Sequence, residues 1–216
     1  MNGVDEGLEV DLADGGTFRV TSLSHPVNLS AALAFRPGES VVISGPSGSG
    51  KSRFLRALAD LDPNDGEMSL NDVSRSDFTG PEWRARVTYV AAEPGWWGDR
   101  VCNHFAEAER EAARGGLAAL GLPPEALDWD VARLSTGERQ RLALLRALVQ
   151  QPDVLLLDEP TGPLDETATH MVEAVLAEHL QRGAVLLLIT HDAAQAKRLG
   201  TWQLEVADLV VRSVGP

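Results

Sequence analysis

The stretch Gly45-Pro46-Ser47-Gly48-Ser49-Gly50-Lys51-Ser52 fits the pattern Gly-x-x-x-x-Gly-Lys-Ser/Thr, and its residue types suit one task, holding phosphate. Glycines let successive backbone N–H groups curl toward an anion, and a helix starting at the lysine adds its positive dipole end. Lys51 has the reach for the β- and γ-phosphates of a nucleoside triphosphate, and the Ser52 hydroxyl is a ligand for Mg²⁺. Arg53 adds a further cation. The chain holds 17 Arg but only two Lys, Lys51 and Lys197, so a lysine inside this pattern is noteworthy. The plain alternative is an ordinary Gly-rich turn. Context argues against it: Val41-Val42-Ile43-Ser44 reads as a buried strand before the glycines, and Lys51–Leu61 reads as a helix after them. In that helix Phe54, Leu55, Leu58 and Leu61 recur at helical spacing.

A second cluster closes the apolar run Val154-Leu155-Leu156-Leu157 with Asp158-Glu159-Pro160. After a phosphate cradle such an Asp can hold Mg²⁺. The adjacent Glu can take a proton from attacking water, worth about 10²–10⁴-fold in rate. Neighbouring strand side chains point to opposite sides, so the two carboxylates need not share a role. An acidic, solvated strand end is the bland reading, and the pairing with the cradle favours the catalytic one.

Composition narrows the class. Nineteen basic against 32 acidic residues give a net charge of −13, which disfavours binding nucleic acid or anionic lipid through a broad basic surface. Cys102 is the single cysteine, so neither an intrachain disulfide nor a cysteine zinc cluster is available. Met1–Val10 is acidic and carries no signal-peptide pattern. The longest aliphatic runs, Val154–Leu157 and Ala184–Ile189, fall far short of the roughly 20 residues that span a bilayer. The chain reads as soluble and cytoplasmic.

Short apolar runs alternate with helical patterns, which predicts an α/β domain with a mainly parallel sheet. Val87–Ala91, Val154–Leu157 and Val185–Thr190 are strands of that sheet, and Leu8–Val20 with Ala31–Arg36 forms an N-terminal antiparallel flap. Between about 99 and 150 no strand pattern occurs. Val101–Arg114 reads as a helix, Gly115-Gly116 as a break, Leu117–Leu127 as a short helical segment interrupted by Pro123-Pro124, and Ser135–Gln150 as a strong helix ending before Pro152. One domain is expected, with 1–98 and 151–216 as catalytic core and 99–150 as an inserted all-helical subdomain.

The last helix opens with Leu134-Ser135-Thr136-Gly137-Glu138-Arg139-Gln140-Arg141. Ser135 to Glu138 is a capping box, and the helix N-terminus is also an anion site. This run resembles the signature of the ATP-binding-cassette (ABC) ATPases, Leu-Ser-Gly-Gly-Gln/Glu. The resemblance covers nearly the whole chain in the family's order: cradle, signature, acidic strand, Leu164-Asp165, then His191 after a strand. It implies the P-loop NTPase fold of ABC ATPases and a head-to-tail homodimer sandwiching two ATP. Ser135, Gly137 and Glu138 of one copy would then face the γ-phosphate held by the other. It implies that Ser52 and Asp158 hold Mg²⁺, that Glu159 polarises water, and that His191 touches the γ-phosphate. Asp165 lies in a loop crossing the interface, although a helix N-cap explains it equally.

Departures from the family pattern are visible. Ala92 stands where a metal-binding, partner-coupling Gln is usual, with Glu93 one residue away. For the aromatic that stacks adenine, Phe18 and His25 are the candidates, while Tyr89 is misplaced. Arg53 replaces a common Thr, and Thr136 and Gly162-Pro163 depart from the usual small residues. Trp96-Trp97 suits a partner interface or packing beneath the helical insertion.

The reading is therefore the ATPase subunit of an ABC transporter. It would act at the inner face of the cell membrane through an integral membrane subunit, without nucleic acid. The run Trp97-Gly98-Asp99-Arg100-Val101 is similar to bacterial iron-export ATPases. Alternatives are a non-transport ABC-type nucleotide switch and a P-loop small-molecule kinase, which the signature and His191 oppose.

Overall fold

The computed structural model describes residues 17–214; the first part of the expected flap and the acidic Met1–Val10 lie outside them. Two sheets form. The smaller is antiparallel, with β1 (Phe18–Ser22) flanked by β3 (Leu33–Phe35) and β5 (Glu67–Leu70), and β6 (Val73–Ser74) outside β5. The larger sheet runs β2 (Asn28–Leu29), β11 (Val210–Ser213), β10 (Trp202–Ala207), β4 (Ser40–Ser44), β9 (Val185–Ile189), β8 (Val154–Asp158), β7 (Val87–Val90). Every pairing from β10 to β7 is parallel, and β10–β11 is antiparallel. This is the expected α/β class with a mainly parallel sheet.

The uninterrupted Val/Leu runs of β8 and β9 follow from burial on both faces. Val154 and Leu156 point into a core with Phe54, Leu55 and Leu58 of α1 (Lys51–Leu58), whereas Leu155 and Leu157 point into a second core with Leu142, Leu144 and Leu145 of α4 (Thr136–Leu148). The sheet thus separates two hydrophobic layers, and the strand period of two sends alternate leucines to each. Behind α1, α2 (Gly80–Arg86) buries Trp83, whose indole donates to the Leu58 carbonyl at 2.9 Å.

Three expectations need correction. Val101–Arg114 is not one helix: a 3₁₀ turn at Val101–His104 gives way to extended Phe105-Ala106, and the α-helix α3 runs only over Arg110–Gly116. The His104 ring explains the break. Its Nε2 accepts from the N–H groups of Trp97 (3.0 Å) and Gly98 (2.9 Å), and Nδ1 meets the Arg100 carbonyl, anchoring this turn to the preceding loop. Gly115-Gly116 closes α3 rather than breaking it. Third, Leu117–Leu127 resolves into 3₁₀ turns at Ala118–Leu120 and Pro124–Asp128, with Gly121 at φ +63° between them.

Two hairpins lie beyond what the sequence pattern indicates. Asn71-Asp72 joins β5 to β6 and Asp208-Leu209 joins β10 to β11, both residues of each pair having positive φ, as a two-residue mirror-image turn requires. Helices α5 (Glu166–Gln181) and α6 (Ala193–Leu199) complete the layer, capped by Asp165 and Asp192. Among the described residues no helix is long and apolar enough to cross a membrane.

Candidate active site

The glycine loop turns the chain from β4 into α1. Gly45 sits at φ +136°, and a Cβ there would meet the Val206 carbonyl oxygen at 2.0 Å; Gly50, at φ +108°, would press on Leu209 at 2.9 Å. Only glycine passes at these two points. The C-terminal hairpin therefore braces the loop from behind, helped by the Leu209 N–H donating to the Ser49 carbonyl. Lys51, 8% exposed, folds over the loop and donates to the carbonyls of Gly45 (2.8 Å) and Pro46 (2.9 Å). No side chain caps α1, unlike α2, α4, α5 and α6. Its first-turn N–H groups are left without a side-chain acceptor, the condition in which a helix N-terminus receives an anion. Pro46, Ser47, Gly48, Ser52 and Arg53 are exposed around it. These residues fit a triphosphate.

A cleft of about 540 Å³ runs from Gly45 and Lys51 to Thr190 and His191. A second, of about 460 Å³, contains Glu159, Thr161, Leu164 and again His191. His191 thus stands between them, its Nε2 3.2 Å from Glu159 Oε1. Parallel pairing of β8 with β9 makes that meeting, because Glu159 and His191 follow adjacent strand ends and the Glu159 N–H donates to the Ile189 carbonyl at 2.9 Å. Glu159 adopts φ +47°, a conformation uncommon for a non-glycine residue and frequent at working sites.

Asp158 is buried at the end of β8 and accepts from the Tyr89 hydroxyl at 2.9 Å. Burial, and next the Asp158 charge, push the Tyr89 phenol far above its ordinary pKa, so the hydroxyl remains a donor. Tyr89, misplaced for stacking a base, serves Asp158 instead, and its place shows only once β7 pairs with β8. Ser52 and Asp158 are hard oxygen donors, and among the described residues no cluster of three or more His, Cys, Asp or Glu is gathered for a metal. Oxygen donors of this kind suit Mg²⁺, which keeps water and phosphate oxygens as its other ligands.

Ser135 caps α4, accepting from the Glu138 N–H at 3.2 Å while Glu138 accepts from the Ser135 N–H at 2.8 Å. The capping box is formed, and Ser135 is still exposed. Gly137 faces Leu164, whose Cδ2 would lie 3.1 Å from a Cβ there. Neither cleft is lined by Ser135 or Gly137, although Leu164, which Gly137 faces, lines the second. Asp165 accepts from the Ala168 N–H at 2.8 Å as the cap of α5.

Phe18 cannot stack a base. It is fully buried between Phe35 (5.6 Å) and Trp83 (6.1 Å). His25 is exposed. The Trp96-Trp97 pair divides its labour: Trp96 packs partly buried on the helical core, while Trp97 is 74% exposed. Both rings contact His104 edge-on, and the Arg146 guanidinium lies over both at about 5 Å. Glu93 is exposed in the same groove. The polar residues Thr161, Gln195 and Glu173, which no sequence motif singles out, form a buried set beneath Glu159 and His191.

Residues 29–162 match the family described as ABC transporter. The chain is 41% identical over 169 residues to the aliphatic sulfonates import ATP-binding protein SsuB 2 of Paracoccus denitrificans, covering 76% of this chain and 64% of that one. To the corresponding protein of Cupriavidus necator it is 38% identical, covering 79% and 57%. The chain thus spans about six-tenths of the length of these relatives. Their import names give no support to the iron-export resemblance. Among solved structures, a dimeric ATP-binding cassette in a post-hydrolysis state bound to ADP and Pi superposes with a TM-score of 0.76 at 22% identity, covering 92% of this chain and 99% of that one. An ATP binding subunit of an ABC transporter gives 0.78 at 24%, covering 92% and 90%. These likenesses establish the ABC ATPase fold, and with the sequence match they place the chain in the ABC transporter family as an ATP-binding domain.

Proposed function

We propose that the chain hydrolyses ATP as the nucleotide-binding subunit of an ABC transporter, driving separate membrane subunits. The observation that carries this reading is the succession Lys51, His191, Glu159 along one pair of joined clefts, with His191 3.2 Å from Glu159. In it Gly45–Arg53 bind the phosphates, with Lys51 neutralising the charge that develops on them. Ser52 and Asp158 hold Mg²⁺, which when bound offsets negative charge on the phosphate oxygens. Glu159 takes the proton of the attacking water. His191 orients Glu159 and meets the γ-phosphate.

Ser135, Gly137 and Glu138 line neither cleft, and a head-to-tail homodimer, in which the capped helix of one copy completes the cradle of the other, would give them a role. Asp165, capping α5 beside that helix, would lie at the same junction. The exposed Trp97 and the groove around Arg146 suit an integral membrane subunit, which would hold the protein at the inner face of the membrane. With a net charge of −13, nucleic acid is not a partner in this reading. The relatives' names favour import of a small anion over iron export. A nucleotide switch without transport is the second reading, favoured by the Ala92 departure alone.

Phosphate release is the test. The purified chain, alone and with its membrane partner, should release inorganic phosphate from Mg-ATP; Glu159→Gln should bind ATP, turn over very slowly and accumulate as an ATP-bound dimer. Lys51→Ala should lose nucleotide affinity. Parental turnover by Glu159→Gln would remove the assigned base, and a chain that never releases phosphate would leave the switch.

A further inference from the structure

Glu159 and His191 are both solvent-exposed, with side-chain exposures of 40% and 63%, so packing does not hold them together. An exposed pair of this kind is weak on its own. What fixes it lies underneath. Thr161, two residues past Glu159, meets Gln195, four residues past His191, and Gln195 is fully buried. The Gln195 amide donates from Nε2 to Thr161 Oγ1 at 2.9 Å and to Glu173 Oε1 at 3.2 Å, and its Oε1 lies 3.2 Å from the same threonine hydroxyl. A carboxylate only accepts, so the Glu173 contact identifies Nε2 and leaves one orientation for the amide. Glu173, on α5, then takes Nε and Nη2 of Arg198 at 2.8 and 2.7 Å, a bidentate pairing that returns to α6 three residues beyond Gln195.

A buried set like this is costly if any member is unpaired and specifies a single arrangement when all are paired. An apolar side chain of the same volume would fill the space at Gln195 without that desolvation. The polar version ties the loop after β8, which carries Glu159, to the helix after β9, which follows directly on the turn that carries His191. Gln195 itself lines neither cleft.

We propose that Gln195 is a positioning residue: by fastening α6 to Thr161 it keeps the His191 imidazole in register with the Glu159 carboxylate, and thereby sets the rate of hydrolysis without touching nucleotide. The proposal rests on the ATPase reading above. It is tested in the full chain with Gln195→Leu, Thr161→Val and Thr161→Ser, measuring kcat and KM for ATP together with direct nucleotide affinity. Small misplacements of catalytic groups cost up to about a hundredfold, so Gln195→Leu and Thr161→Val should each lower kcat by about ten- to a hundredfold, leaving KM and nucleotide affinity within about twofold. Thr161→Ser restores the hydroxyl and should restore kcat. In a His191→Ala background, Gln195→Leu should add no further loss.

An active parent whose kcat survives Gln195→Leu overturns the proposal. So does a loss in which kcat and nucleotide affinity fall together and Thr161→Ser performs no better than Thr161→Val, since that is the pattern of a packing residue. A parent that binds ATP but never releases phosphate overturns the ATPase reading and this proposal with it, and only that result reaches both.

Discussion

The Tyr89 hydroxyl donates to Asp158 Oδ2 at 2.9 Å, linking an inner strand end to the groove that Tyr89 shares with Trp97 and Arg146. The register makes the link: Tyr89 pairs with Leu156, two residues before Asp158 on the neighbouring strand. One carboxylate oxygen is thereby held, and the other keeps a defined direction.

Tyr89→Phe removes that donor and almost no volume. Nucleotide binding in EDTA should match the parent, whereas the Mg²⁺ concentration for half-maximal nucleotide binding should rise several-fold as Asp158 loses its fixed orientation. Titration of a fluorescent nucleotide at varied Mg²⁺ measures both. An unaltered Mg²⁺ midpoint would show that Asp158 is oriented by the strand alone.

Much of this site is legible in the amino-acid order, because its parts are local. A Gly-rich loop between a strand and a helix, a four-residue capping box, and carboxylates ending an apolar run each announce themselves within ten residues. What stays hidden depends on pairing between distant segments. Nothing near Tyr89 points to Asp158, and nothing near Gln195 points to Thr161, until the parallel order β7-β8-β9 sets them side by side. The β10–β11 hairpin is a different case. Trp202, Leu204 and Val206 alternate with Gln203 and Glu205, a legible strand pattern, but the turn Asp208-Leu209 lacks the usual Asn-Gly or Asp-Gly signal. The expected helix at Val101–Arg114 is broken by His104, whose two ring nitrogens meet backbone of the preceding loop.

The hairpin behind the cradle makes Gly45 a sharp test of how the loop is held. Gly45→Ala places a Cβ 2.0 Å from the Val206 carbonyl oxygen at φ +136°. Backbone must move on one side or the other, and the strained φ alone should cost more than about 1 kcal/mol. Thermal unfolding should show a lowered Tm, and direct titration a loss of nucleotide affinity larger than that of Gly48→Ala, where a Cβ meets nothing within 4 Å. Equal losses at the two glycines would indicate that φ, not the Val206 contact, governs the loop.

Acid sensitivity has an identifiable source at one end of the inner strands of the smaller sheet. Asp65 accepts from the Ser24 hydroxyl and from the N–H groups of Ser24 and His25, both at 2.9 Å, which holds its carboxyl down to about 2. Its unfolded value is about 3.9, so the folded state is favoured above that pH. The contribution is lost as pH falls from about 4 toward 2. Urea midpoints of the parent should therefore drop over this window, and Asp65→Asn should flatten that part of the profile while lowering stability at pH 7. Identical profiles would assign the acid loss elsewhere.

The head-to-tail arrangement can be tested without relying on catalysis. Ser47 is exposed at the tip of the cradle and Ser135 is exposed at the start of α4. In a closed pair of copies related by a two-fold axis, each Ser47 would approach the partner's Ser135, and two equivalent links would form. The chain carrying Cys102→Ala, Ser47→Cys and Ser135→Cys should thus be joined by a short bifunctional thiol reagent into a covalent dimer, and only with Mg²⁺ and a non-hydrolysable ATP analogue. Replacing the Ser135 cap costs roughly 1 kcal/mol, well within the stability of a domain this size. A cross-link within single chains, or a dimer whose yield ignores nucleotide, would contradict the sandwich; single-cysteine controls should give no covalent dimer, because either site alone faces a serine across the junction.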